Sequence, residues 1–277
     1  MESTTQAQRA ARFLELHHGP SPLVMPNAWD AGSAKMLADV GFDAIATTSS
    51  GFAATLGRID GQVSRAEVVA HAAALSAAVS IPVAADLENG YADEPAGVAE
   101  TIGLAIAAGL AGASIEDFTG DRDSPIYSLT QAAERVAAAA EAAHGGPVPF
   151  VLTARAENHL HGKSELDDTI RRLQAYAAAG ADVLFAPGVV DPVEIRTLVD
   201  AVDRPVNVLV MPGCPPIEEL AAAGARRISI GGALAFAALG AATEAALELR
   251  THGTYGYWAH AATGAKRARA AFGALGR

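Results

Sequence analysis

The stretches IPVAADLE (81–88), GASIEDF (112–118) and FVLTARAE (150–157) share one form: a short apolar run that ends in charge. Their apolar positions are consecutive rather than alternating, as in strands of a parallel sheet with both faces covered. Five more runs of this kind are LVMPNA (23–28), AIATTSS (44–50), DVLFAPG (182–188), VNVLVMP (206–212) and RRISIGG (226–232). Ala-rich segments with helical spacing of their polar residues separate them. Several runs are preceded by a helix stop, VGFDA (40–44), AGLAGA (108–113), AAGADV (178–183) and AAGARR (222–227), where Gly can take the left-handed position after the last helical turn. Eight β-then-α units predict an α/β chain folded as a (β/α)8 TIM-type barrel, with residues 1–277 forming one domain. Gln6 to His17 predicts an extra N-terminal helix, and residues 254–277 a C-terminal helical extension. That extension either packs on a neighbouring subunit, as a swapped helix, or folds back on its own barrel; the sequence leaves both open.

Composition narrows the partners. Lys and Arg number 20 against 31 Asp and Glu, a net charge of −11, which argues against nucleic acid and anionic membrane surfaces because both select basic patches. An anionic substrate then needs a local cation. The single cysteine, Cys214, excludes an intrachain disulfide and a cysteine-based zinc site, and is expected as a buried small residue in a reducing cytoplasm. The polar N-terminus has no apolar run of signal-peptide length. The apolar stretch 233–249 contains Glu244 and Glu248 and is too short to span a bilayer. The expected setting is a cytoplasmic homo-oligomer, dimer or tetramer, acting on a small molecule.

Catalytic groups of such barrels sit after the C-terminal ends of strands. Charge collects there: Asp86 and Glu88 after the third run, Glu116 and Asp117 after the fourth, Arg155 and Glu157 after the fifth. A carboxylate at the end of an apolar strand loses hydration unless it is paired or holds a metal. Oxygen ligands without cysteine suit Mg2+, or Mn2+, bound through one or two direct carboxylates plus water. Asp86 and Glu88, two apart, would share a face of a regular strand. The other reading of the same residues is an ion-pair network in which Arg155 pairs with Glu116 or Glu157. Arg155 is also suited to gripping a substrate carboxylate at two points. TTSSG (47–51) offers hydroxyls and backbone N–H groups to an anion, or is a plain turn. His159 and His161 are spaced as a metal pair could be, but hydrogen-bonding in the wall suits them better.

Together these residues resemble the isocitrate lyase and phosphoenolpyruvate mutase superfamily over almost the whole chain. The motifs that carry the resemblance are PNAWDAGSAKMLADVGFDAI (26–45), TTSSGFAATLGRIDG (47–61), VAADLENGY (83–91), GASIEDF (112–118) and LTARAE (152–157). The resemblance implies a Mg2+ site with Asp86 closest to the metal and Asp60, Glu88 and Glu116 acting mainly through ordered waters. It implies that Ser50, Gly51 and Phe52 hold the carboxylate of a 2-oxo acid, with Arg155 beside the substrate. Trp29 is expected in the wall near the first strand end, and His159 in the substrate wall. The implied chemistry is cleavage of a bond to C3 through a metal-stabilised enolate.

The chain departs from that pattern in one loop. Lyases of the superfamily carry a Lys-Arg-Cys-Gly-His type signature after the fourth strand, whereas EDFTGDRDSPIYSLTQAAERV (116–136) has no cysteine. Ser128 is a poor proton donor beside a thiol, and Tyr127 is the candidate substitute, or else a packing anchor. Glu157 either orients Arg155 or receives a proton. The leading expectation is a Mg2+-dependent lyase or decarboxylase of a small 2-oxo or 2-hydroxy (di)carboxylate. The alternatives are P–C bond chemistry on phosphoenolpyruvate or phosphonopyruvate and a catalytically silent barrel that binds an oxo acid.

Overall fold

The computed structural model describes residues 4–273. Each of the eight expected runs contains strand. The first is cut by Pro26 into β1 (Leu23–Met25) and β2 (Asn27–Ala28); the others give β3 (Ile45–Thr47), β4 (Val83–Asp86), β5 (Gly112–Glu116), β6 (Val151–Arg155), β7 (Val183–Phe185), β8 (Val206–Leu209) and β9 (Arg227–Ser229). All pairings are parallel, in the order β1-β9-β8-β7-β6-β5-β4-β3-β2. β1 pairs with β9 and β2 with β3, so the interrupted first strand joins the two ends of the sheet into a barrel. Pro26 has no N–H to give the ladder, yet its carbonyl accepts the Ala46 N–H at 3.0 Å.

The strands end earlier than the apolar runs suggest. AIATTSS (44–50) stops as strand at Thr47 because Thr48 caps a helix, its hydroxyl accepting the Gly51 N–H at 3.3 Å. The segment read as a possible plain turn is therefore the first turn of α3 (Ser49–Thr55), preceded in the chain by α1 (Gln6–Leu16) and α2 (Ala31–Val40). The remaining helices are α4 (Arg65–Ala78), α5 (Pro95–Ala107), α6 (Leu129–His144), α7 (Leu166–Ala178), α8 (Pro192–Asp200), α9 (Ile217–Ala222), α10 (Ala233–His252) and α11 (Trp258–Gly273).

Two apolar clusters hold the barrel. The larger lies between strands and outer helices and includes Ile45, Leu75, Ile102, Leu110, Ile115, Leu152 and Leu173. The smaller closes the N-terminal end, where α1 lays Ala10 and Phe13 against Leu23, Ala44, Ala111, Val151 and Val183. Gly112 permits that closure: a Cβ there would come within 2.8 Å of the Phe13 ring and 2.6 Å of the Val151 carbonyl oxygen.

Within the single chain the C-terminal extension lies against the barrel's outer helices. α11 packs on α2, with Ala271 buried and the Phe272 ring against Gly32. α10 by contrast exposes Phe236, Leu239, Leu247 and Leu249, and only Ala235 of that helix is buried. Cys214 is half-buried rather than buried, its thiol near the Leu209 carbonyl. No helix among the described residues is long and apolar enough to cross a membrane.

Candidate active site

A cavity of about 170 Å³ descends from the strand ends into the barrel. Its mouth carries Ser49, Ser50, Asp60, Asp86, Arg155 and Ser229; its depth is lined by Asn27, Thr153, Asn207 and Arg227 among small residues such as Ala46 and Ala84. Asp86 terminates β4, and Asp86 takes its position from neighbours on two loops. Its Oδ2 accepts the Ser49 N–H and its Oδ1 the Glu88 N–H, each at 3.3 Å, while its own N–H donates to the Thr47 hydroxyl at 2.9 Å.

Glu88 does not sit on a strand face with Asp86. The strand has ended and Glu88 adopts φ 47°, with Gly90 at 78° and Tyr91 at 56°, so the chain turns back through left-handed conformations that L side chains rarely adopt. The turn is held from outside. Arg135 of α6 is buried and donates to the carbonyls of Asn89, Ala92 and Asp93, and Thr101 donates to the Gly90 carbonyl at 2.7 Å. The Tyr91 hydroxyl donates to Glu88 Oε1 at 2.8 Å, and the Glu88 carbonyl accepts the Glu116 N–H at 2.9 Å. Two strand ends are thereby tied together behind Asp86.

The charges do not balance. Arg155 is already engaged: its Nε donates to Glu157 and lies 3.4 Å from Glu116. The ion-pair reading of the sequence is thus part of the structure, but one guanidinium faces Asp60, Asp86, Glu88, Glu116 and Glu157. Burial, with Asp86 and Asp60 adding, pushes Glu88 up to about 7 against the Tyr91 hydrogen bond. Burial lifts Glu116 well above the usual carboxylate range despite Arg155, and Glu157 rises for the same reason. Asp60 belongs to an exposed loop, yet desolvation at the mouth and the nearby Asp86 raise its carboxyl as well. Such a group must either take up protons or gain a cation.

The donor set fits a hydrated divalent cation. No three acidic, histidine or cysteine side chains converge tightly enough among the described residues for direct coordination by all three. Mg2+ needs no such cage, since it keeps several waters and touches one or two carboxylates. Asp86, which lines the cavity with both oxygens oriented by backbone donors, is the residue that would touch it; Asp60 lines the same cavity, whereas Glu88 and Glu116 are not among its lining residues.

Other residues singled out by sequence fall elsewhere. The Tyr127 hydroxyl donates to Asp93 and its ring lies under Arg135 at 4.2 Å, away from the cavity wall. That setting pushes the phenol up to about 12, chiefly through burial and the Asp93 bond. Ser128 caps α6 by accepting the Gln131 N–H. Both are spent on structure. Phe52 stacks on His71 at 3.7 Å between ring centroids, and Trp29 flanks Gly51 without lining the cavity. His159 packs its Cβ near Gly188 and has a buried Nε2 without a partner among the described residues, while His161 stacks on Phe118 and lies 3.7 Å from Glu157. Of the segment 50–52, the Gly51 and Phe52 N–H groups are taken by Thr48, which leaves Ser50 as the member that lines the cavity.

Gly51 is nevertheless demanded by space. A Cβ there would lie 2.5 Å from Thr48 Cγ2 and 3.2 Å from the Cβ atoms of Trp29 and Ala235. Gly51→Ala is expected to displace the first turn of α3 and with it Ser49 and Ser50, so that kcat/KM falls about tenfold while the fold survives, as circular dichroism checks.

The deep polar lining was legible only in part. Thr153 precedes Arg155 by two, and Arg227 precedes Ser229 by two, so the strand period points each pair inward. Reading only the last residue of each strand missed the layer beneath.

The chain matches the family model described as phosphoenolpyruvate phosphomutase over residues 13–250. It is 30% identical to the oxaloacetate decarboxylase of Bradyrhizobium diazoefficiens, over 86% of this chain and 82% of that one. It is also 30% identical to the 2-methylisocitrate lyase of Escherichia coli, over 74% of this chain and 69% of the relative. A crystal structure from Burkholderia cenocepacia J2315, provisionally assigned as a lyase/mutase, is 53% identical with a TM-score of 0.88, covering 90% of each chain. Barrel, acidic mouth and these likenesses agree: the chain belongs to the phosphoenolpyruvate mutase family, within the isocitrate lyase/phosphoenolpyruvate mutase superfamily of lyases and mutases, and is an enzyme of that superfamily.

Proposed function

We propose that the protein is a Mg2+-dependent lyase or decarboxylase of a small 2-oxo or 2-hydroxy (di)carboxylate that works through an enolate, in the cytoplasm. The observation that carries this reading is the excess of acids around a single, already paired guanidinium, with Asp60 and Asp86 on the cavity wall and Glu88, Glu116 and Glu157 beside them. When bound, the divalent cation supplies the positive charge that lowers the cost of an enolate. Asp86 would hold the cation, Arg155 is oriented by Glu116 and Glu157 beside the cavity, and Ser50 lines the same cavity with a hydroxyl. Tyr127 and Ser128 stand outside the chemistry, which favours decarboxylation, the reaction least dependent on a proton donor from that loop.

The test is NMR of oxaloacetate with Mg2+ and enzyme against Mg2+ alone. Faster loss of the β-carboxylate with enzyme is expected, and no enhancement sinks the decarboxylase version. Interconversion of phosphoenolpyruvate and phosphonopyruvate in a ³¹P assay would transfer the reading to P–C chemistry.

Cation binding also predicts a pH signature. A carboxyl raised on folding holds its proton more tightly folded than unfolded, so its contribution to stability is full below its ordinary value of 4.5 and lost as pH rises through about 7 for Glu88. In EDTA, the melting temperature is expected to fall between about pH 5 and pH 8. Added Mg2+ should restore it, increasingly so at higher pH, as differential scanning fluorimetry reads; protection at no pH counts against the cation.

The exposed stripe of α10, Phe236, Leu239, Leu247 and Leu249, supports a homo-oligomer in which a second copy covers it. Light scattering is expected to give a mass of at least twice the 28.1 kDa chain.

A further inference from the structure

Arg227 is buried in the barrel, one inward-facing layer beneath the mouth, and takes no part in any ion pair among the described residues. Its partners are all neutral. Nε donates to Asn207 Oδ1 at 3.0 Å, and Nη1 donates to the Thr153 hydroxyl at 2.9 Å and faces His17 Nε2 at 3.4 Å. His17 cannot supply negative charge or be a cation here. Its Nδ1 lies 2.7 Å from the Phe13 carbonyl, which only accepts, so the ring proton is on Nδ1 and Nε2 is a lone pair; burial and Arg227 push the ring down to about 3. Nη2 finds no protein acceptor among the described residues, and Arg227 forms part of the cavity wall.

A buried cation without a carboxylate is costly unless something compensates it. Burial pulls this guanidinium down to about 9, with no acid near enough to hold it up, so it still carries its charge at neutral pH. Asn207 is itself fixed, donating to the Ser229 hydroxyl at 2.9 Å, so the fork is held in place rather than free to swing to the acidic mouth. Arg155, the other cation of the cavity, is consumed by Glu116 and Glu157.

We propose that Arg227 is the cation of a second anion subsite in the depth of the cavity, sized for one carboxylate or halide. Arg227 and Thr153 lie two residues below Ser229 and Arg155 on their strands, about 7 Å at the rise of a strand. That separation suits a dicarboxylate with its reacting end at the mouth and its far carboxylate on Nη2. Calling that acid a substrate rests on the reading given under Proposed function; the anion subsite does not.

Crystals soaked in bromide test the subsite by anomalous scattering. A peak beside the Arg227 guanidinium in the wild type, absent in Arg227→Met, is the expected result. No peak there, and no carboxylate there after soaking with 2-oxoglutarate and Mg2+, overturns the proposal. If 2-oxoglutarate displaces bromide and oxalate does not, the anion is the far carboxylate of a diacid; if neither displaces it, the subsite holds a free anion. In solution, Arg227→Met should weaken 2-oxoglutarate by about tenfold or more and leave oxalate nearly unchanged by calorimetry, with Arg227→Lys in between. Equal loss for both acids counts against the subsite. The wild-type soak alone decides the matter should Arg227→Met fail to fold. A protein that binds bromide at Arg227 and turns over no oxo acid keeps the subsite and loses the enolate reading.

Discussion

Asp86→Asn is expected to lower Mg2+-dependent kcat/KM by about a thousandfold or more while leaving the melting temperature in EDTA unchanged or higher. The two signs come from one cause. Asp86 stands at the mouth within electrostatic reach of Asp60, Glu88 and Glu116, and it adds to the upward push on each of them. Removing its charge relieves repulsion in the folded protein but takes away the carboxylate best placed to touch a cation. The amide still accepts a backbone N–H through one oxygen, so the loops carrying Ser49 and Glu88 keep part of their tie. Activity measured on oxaloacetate and melting measured by fluorimetry separate these effects. A fall in both would make Asp86 a structural residue and remove the centre of the proposed site.

The second large effect is expected from a residue outside the cavity. Arg135→Met should destabilise the protein by about 3 kcal/mol or more, because three turn carbonyls lose their donor inside the protein. For a chain of this length the melting temperature would fall by roughly 10 °C. The same substitution takes the cation from the face of the Tyr127 ring. Because the freed turn carries Glu88 at positive φ, the surviving folded enzyme should also lose kcat/KM. Arg135→Lys keeps the charge without the planar fork and is expected to fall between. Chemical denaturation at matched pH measures the first effect; a variant as stable as the wild type would mean that the turn holds itself.

Much of the barrel could be read from the chain because strand burial on both faces leaves a plain mark, a short apolar run without alternation, and all eight runs contain strand. Their ends were less legible. Thr48 and Ser49 have the composition of a strand continuing, and only the hydroxyl's position over the Gly51 N–H converts them into a helix start. The acids at the mouth were legible because a charge after an apolar run has few places to go. Their mutual placement was not: residues two apart in sequence share a face only while the strand lasts, and this one ends at Asp86. The ties of Tyr127 to Asp93 and Arg135 and of Ser128 to Gln131 were not legible, since a loop position says nothing about where a side chain is tied. Arg227 escaped notice because a cation inside an apolar run reads as a strand boundary, and its neutral partners Asn207, Thr153 and His17 come from three distant parts of the sequence.

The alanines at 46 and 84, paired across β3 and β4, leave the barrel hollow on two adjoining strands where bulkier side chains would ordinarily meet. Depth on these strands is therefore set by methyl groups one layer below Asp86. Lengthening either of them is expected to shorten the molecule that fits without disturbing the acidic mouth, so this scaffold separates the choice of substrate from the chemistry performed on it.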